Sequence, residues 1–255
     1  MGDIYTGRMT QSGAPELPHG EPRQVAAMFG RIAPRYDLLN HLLSLGMDYR
    51  WRNLAADLAR LRPGDLALDI ACGTGDLAFV LARRVRRSGS VAGLDIAREM
   101  LTIGRRKSAG RAGAPVDFHE GDAMRLPYRD GVFRAATMAF GGRNVPDLGG
   151  AFREMARVVA PGGHVVFLEL NRPTAPGFRR LFDWYFHTFS PLVGGLISGD
   201  RAAYEYLPRS VDNFESVEAI RALMEDAGLR EVAVRRLMFG VAVIHTGTVG
   251  AGHRA

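Results

Sequence analysis

"LDIACGTGDLA" (residues 68–78) decides how this chain folds. A short apolar run carries one acid, Asp69, then passes Gly73 and Gly75 into an amphipathic stretch, "DLAFVLARRV" (76–85). A continuous apolar run suits a strand buried on both faces, and the spacing after it suits a helix. Glycines between the two let the backbone approach a ligand, and the helix start offers free N–H groups. Asp95 lies 20 residues past Gly75, near the end of a second strand, "SVAGLDI" (90–96). A carboxylate there can accept hydrogen bonds from both ribose hydroxyls of a nucleotide-like cofactor.

Outward from that unit the pattern repeats. "AREMLTIGRRK" (97–107) is a second helix, "PVDFHEGDA" (115–123) a third strand and "GVFRAATMAF" (131–140) a fourth. The helix "DLGGAFREMARVV" (147–159) leads through a "PGG" turn into the strand "HVVFLEL" (164–170). After the helix "VEAIRALMEDAGL" (217–229), "REVAVRRLMFGVAVIHTG" (230–247) reads as two strands around Phe239–Gly240. The expected fold is therefore α/β, a doubly wound, Rossmann-like, seven-stranded and mostly parallel sheet whose last strand is antiparallel. Residues 1–21 read as a disordered tail, and 22–250 as one domain. Within it, 22–60 form a helical N-terminal lid and 172–215 an inserted, substrate-side segment.

The glycine loop also fits the relaxed dinucleotide fingerprint G-x-G-x-x-[GA], so a nicotinamide enzyme is an alternative reading. Two features oppose it. Asp69, just ahead of the loop, would repel a pyrophosphate but attract an ammonium. Asp122, in "EGDA" (120–123), adds an acid at the end of the third strand, where an adenine amino group can bind. Three carboxylates without a phosphate-clamping base call for a cofactor that carries positive charge. S-adenosylmethionine, with its sulfonium and ammonium, fits.

The run from Asp69 to Asp76, the Gly121–Asp122 pair and "RVVAPGGHVVFLEL" (157–170) resemble class I S-adenosylmethionine-dependent methyltransferases. More narrowly, "YDLLNHLLSLGMDYRWR" (36–52), "FGGRNVPD" (140–147), "YEYLPRSVDNF" (204–214) and "GVAVIHTG" (240–247) resemble the ubiquinone/menaquinone C-methyltransferases. The resemblance covers about residues 24–247 and implies C-methylation of a polyprenylated quinol ring, with the menaquinone branch preferred. It implies cofactor contacts at Thr74, Asp95, Asp122 and Ala123. To these the reading adds Asp69, Gly73, Gly75, Ile96 and Ala139. Four positions depart from the family pattern: Ala139 for serine, Gly142 for leucine, Ala160 for lysine and Asn171 for serine. Other small-molecule methyltransferases and a non-catalytic binder are the remaining alternatives.

Carbon methylation needs an electron-rich ring, and an ionised ortho hydroxyl supplies it. Deprotonating a phenol of pKa ~10 at neutral pH costs about 4 kcal/mol. Arg143 stays protonated and suits the stabilisation of the phenolate rather than direct proton removal. Asn144 is placed to hydrogen-bond a quinol oxygen. Tyr36 and Asn40 lie one helical turn apart, so the lid can bring both to the ring. The catalytic candidates are thus Arg143, Asn144 and Tyr36, and the substrate contacts Asn40, Arg143 and Asn144. No His, Cys or acidic cluster has metal-ligand spacing.

Composition narrows the partners. Of 33 basic residues one, Lys107, is lysine, so the +6 net charge reads as arginine-rich coding rather than as a nucleic-acid footprint. A single cysteine, Cys72, fits a reducing compartment. The aromatic run "FRRLFDWYFHTF" (178–189) is either a helix covering the sheet or a channel for a prenyl tail. The expectation is a cytoplasmic enzyme with peripheral contact at the inner face of the membrane, and a homodimer remains open.

Overall fold

The computed structural model describes residues 22–250 except 174 and 199, so the expected tail over 1–21 lies outside the described residues. Seven strands form one sheet in the order β3-β2-β1-β4-β5-β7-β6. They are β1 (Leu66–Ile70), β2 (Ser90–Asp95), β3 (Val116–Glu120), β4 (Phe133–Ala139), β5 (Val159–Leu170), β6 (Leu229–Leu237) and β7 (Ala242–Val249). Strands β1 to β5 run parallel, whereas β7 pairs antiparallel with both β5 and β6. That is the expected mostly parallel sheet with an antiparallel last strand. One boundary differs. The fifth strand already begins at Val159, which pairs with Phe133, and the register then shifts at the Pro161–Gly163 turn.

Side-chain alternation explains why helices cover both faces. On one face Ala67, Ala135, Val166 and Leu168 pack with helices α2 (Met47–Leu58) and α3 (Asp76–Val85). On the other, Leu68, Ile70, Met138 and Phe167 pack with α5 (Leu148–Val158) and α9 (Val217–Asp226). A third helix, α4 (Arg98–Ser108), follows β2. Strands apolar at every position need two such covers. Strand order reverses between β1 and β4, and the crevice beyond their carboxyl ends is where ligands bind in such sheets.

Two helical pieces close that crevice. Helix α1 (Pro22–Leu43) packs Ala33 on Ala97 and Met100, and Met28, Ile32 and Leu39 on Tyr204 and Tyr206. The segment after β5 contains α6 (Pro176–Trp184), a π-helical turn (Tyr185–Phe189), α7 (Ser190–Ser198) and α8 (Arg201–Asp212). Its Phe182 and Phe186 stack at 4.9 Å between ring centroids and join the core that holds Ala242 and Ile244.

Candidate active site

Three adjoining spaces open at the switch point, and Tyr36 of α1 lines all of them. The first, about 90 Å³, runs past Gly73, Asp95, Ile96, Asp122, Ala123, Ala139 and Asn144. Asp95 is held at the end of β2 by backbone donors, Gly73 N at 2.7 Å and Ala97 N at 2.8 Å. Each oxygen keeps a second lone pair for a ligand. Burial nonetheless raises its pKa, with those backbone bonds pulling the other way. Asp122 is fixed in a turn by Met124 N at 2.8 Å.

The glycine loop divides its labour. Gly73 has φ +55° and faces the crevice, with Tyr36 alongside. Gly75, at φ +86°, serves packing: a Cβ there would come within 2.7 Å of the Phe118 ring. Thr74 is 2% exposed, and its hydroxyl donates to Asp37 Oδ1 at 2.5 Å, so its backbone is what remains for a cofactor. Lys107 Nζ lies 3.0 Å from the same hydroxyl, 2.7 Å from Asp37 and 2.6 Å from Asp76. A base does therefore stand beside the loop, but two carboxylates neutralise it. The cluster ties helix α1 to the loop and to α4.

Asp69 lies behind the loop in a smaller space shared with Gly73, Thr74 and Ala139. Thr137 donates to its Oδ1 at 2.8 Å, while the buried Oδ2 meets no partner. Burial, only partly offset by the Thr137 bond, pushes its pKa up to about 7. An orphaned, buried carboxylate oxygen at this point is chemically matched to an ammonium.

The largest space, about 320 Å³, is walled by Phe178, Phe182, Trp184, Tyr185 and Phe186, with Tyr36, Asn40, Arg52, Phe140 and Arg143 at its inner end. The aromatic run therefore both covers the sheet and lines a cavity. Phe140 and Tyr36 border this cavity and the cofactor crevice alike. Arg143 and Asn144, adjacent in sequence, are split: Arg143 faces the cavity and Asn144 the crevice. Tyr36 is raised in pKa by burial, with Arg143 and a hydrogen bond from Asn40 acting against it, so it stays a neutral phenol.

The protonated Arg143 expected from the sequence has a buried partner. Its Nη1 lies 2.5 Å from Glu169 Oε1 on β5 and donates to Phe140 O at 2.8 Å, with both side chains of the pair buried. Nε is buried without a partner. Four residues without a role read from the sequence contact these groups: Glu169 on Arg143, Asp37 and Lys107 at Thr74, and Tyr206 on Asn144. The one signal among them was Lys107, the sole lysine of the chain.

Solved structures share the fold. An S-adenosylmethionine-dependent methyltransferase from Thermotoga maritima superposes with a TM-score of 0.61 at 21% identity, over 87% of this chain and 98% of its own. A [4+2]-cyclase superposes at 0.65 with 19% identity, over 92% and 99%, so the architecture alone does not name a reaction. Sequence is more specific. The family model of the ubiE/COQ5 methyltransferase family matches residues 18–249, and the chain belongs to that family. A demethylmenaquinone methyltransferase of Thermus thermophilus is 50% identical over 220 residues, 86% of this chain and 99% of the relative. A ubiquinone/menaquinone biosynthesis C-methyltransferase of Geobacter sulfurreducens is 42% identical over 228 residues, 89% of each chain.

Proposed function

We propose that this methyltransferase transfers the methyl group of S-adenosylmethionine to a ring carbon of a polyprenyl quinol, demethylmenaquinol in the first instance. The observation that carries the reading is the aromatic-walled cavity, which shares Tyr36 and Phe140 with the acid-lined crevice and has a buried guanidinium on its wall. Asp95, Ile96, Asp122 and Ala123 would hold the adenosine half of the cofactor, and Asp69 and Gly73 its amino-acid half. Bound there, the cofactor supplies an electrophilic methyl.

The protein's part is positioning and charge. Phe140 and Tyr36 hold the ring at the boundary between cavity and crevice, a placement worth roughly 7–11 kcal/mol when reacting atoms are aligned. The Arg143 guanidinium stabilises the ring oxygen as the proton leaves. Glu169 keeps the pair electrically neutral when no substrate is present, which lets a guanidinium stay buried. Asn144 donates from the crevice side. Asn40 holds the Tyr36 hydroxyl in place.

The cavity is an apolar tunnel suited to the first prenyl units, and its mouth supports a membrane contact. Leu45, Leu181, Trp184 and Met238 line it yet are exposed, at 74%, 60%, 58% and 42%. No helix among the described residues is long and apolar enough to cross a bilayer. The test is transfer of labelled methyl to demethylmenaquinol and to a demethylated benzoquinol in liposomes. Preference for the naphthoquinol is expected; labelling of neither would end this reading.

A further inference from the structure

We infer that Tyr206, on helix α8, is a positioning residue that fixes the Asn144 carboxamide with its NH2 group toward the crevice; the inference rests on the role proposed above for Asn144. The Tyr206 hydroxyl donates to Asn144 Oδ1 at 2.9 Å, across 62 residues of sequence. The Tyr206 ring is buried in a cluster with Met28, Ile32, Leu39, Ala203 and Tyr204, while its hydroxyl lies within the electrostatic reach of the Arg143–Glu169 pair. A phenol proton buried in such surroundings needs an acceptor. Oδ1 is that acceptor, and accepting the proton sets the amide's orientation. Nδ2 then meets no acceptor among the described residues, and Asn144 lines the crevice.

The backbone supports the same placement. Asn144 closes a 3-10 turn, Gly142–Asn144, with its N–H on Gly141 O at 3.0 Å. The side chain therefore leaves a short, hydrogen-bonded loop in one direction, and Tyr206 fixes its remaining rotation. Arg143 is treated alike on the other side, where Glu169 takes Nη1 and leaves Nε–H unpaired. Together the two partners leave Arg143 Nε–H and the Asn144 NH2 group as donors without a partner among the described residues. Two such donors favour a phenolate oxygen, which accepts, over a neutral hydroxyl, which must also donate. Desolvation of the Tyr206 phenol raises its pKa, so it remains a donor through the neutral range.

Tyr206→Phe removes the hydroxyl and keeps the ring. The expected result is a kcat lower by about five- to tenfold, the effect of one lost hydrogen bond, with the cofactor KM unchanged. Asn144→Ala lowers kcat further, and adding Tyr206→Phe to it has no additional effect. A second readout needs no turnover: the Asn144 side-chain NH2 signal, assigned by its loss in Asn144→Ala, shifts or broadens in Tyr206→Phe. If the two substitutions multiply, Tyr206 acts only through packing and the inference is overturned. Full turnover in Tyr206→Phe alone overturns it while leaving Asn144's role intact. Full turnover in Asn144→Ala overturns both.

Discussion

Glu169→Ala leaves the Arg143 guanidinium in a site where both side chains are nearly closed to solvent, at 6% and 3% exposure. Breaking a buried ion pair from one side costs about 3–5 kcal/mol, because the remaining charge is neither hydrated nor paired. For a domain of this size each kcal/mol lowers Tm by about 2–4 °C, so a loss of roughly 6–20 °C is expected. Glu169→Gln retains an acceptor for Nη1 but no charge, and falls between the two. Adding Arg143→Met to Glu169→Ala removes the stranded cation and recovers part of the loss, because apolar replacements of buried pairs are well tolerated. Urea unfolding of the two singles and the double, with m held constant, measures the coupling. A Glu169→Ala cost below ~1 kcal/mol, or losses that simply add in the double, would show that the pair is not a buried unit and that Arg143 is a free cation after all.

Further predictions concern the rest of the site. The folded protein holds the Asp69 proton up to about pH 7, while its ordinary value is 3.8, so stability falls as pH rises between those values and levels off above them. Asp69→Asn should abolish that slope and stabilise the cofactor-free protein at pH 8, while weakening cofactor binding more than ~10-fold if Asp69 meets the ammonium. Denaturation at pH 5 and pH 8 with calorimetric binding checks both. Lys107→Met unties Asp37 and Asp76; faster hydrogen exchange over residues 30–43 and a several-fold higher cofactor KM are expected, whereas unchanged exchange would mean that the cluster does not hold the lid. Gly142→Leu drives a side chain into the Phe167 ring and should cost about 1–3 kcal/mol by overpacking. A compensating Phe167→Ala should restore part of it, as measured by urea midpoint.

That last pair shows what a sequence reading can and cannot reach. Gly142 stood out as a departure from the family pattern, but its compensation by Phe167 lies 25 residues away on β5, where no local pattern couples the two. The sheet was legible because period and punctuation are local: the apolar run ahead of the glycines is β1, and the glycine loop opens α3. The Arg143–Asn144 pair was legible for the same reason, as polarity out of place after an apolar strand. Its partners were not. Glu169 looked like one acid at the end of an apolar strand, and Tyr206 like one aromatic on a helix. Only the pairing of β4 with β5 and the packing of α1 on α8 bring them to the loop. The bond from the Thr74 hydroxyl to Asp37 was hidden for the same reason: Asp37 sits on a helix whose docking angle the sequence does not state.

The central claim is that the ring reacts as a phenolate held by Arg143 at the meeting of crevice and cavity. The direct measurement is transfer of isotopically labelled methyl from S-adenosylmethionine to reduced demethylmenaquinol and to its oxidised quinone, with the parent protein and with Arg143→Ala. The account predicts label in the reduced substrate alone and a loss of at least about 100-fold in kcat for the variant, as for removal of one oxyanion donor. Equal labelling of both redox forms, or undiminished turnover by Arg143→Ala, would contradict it.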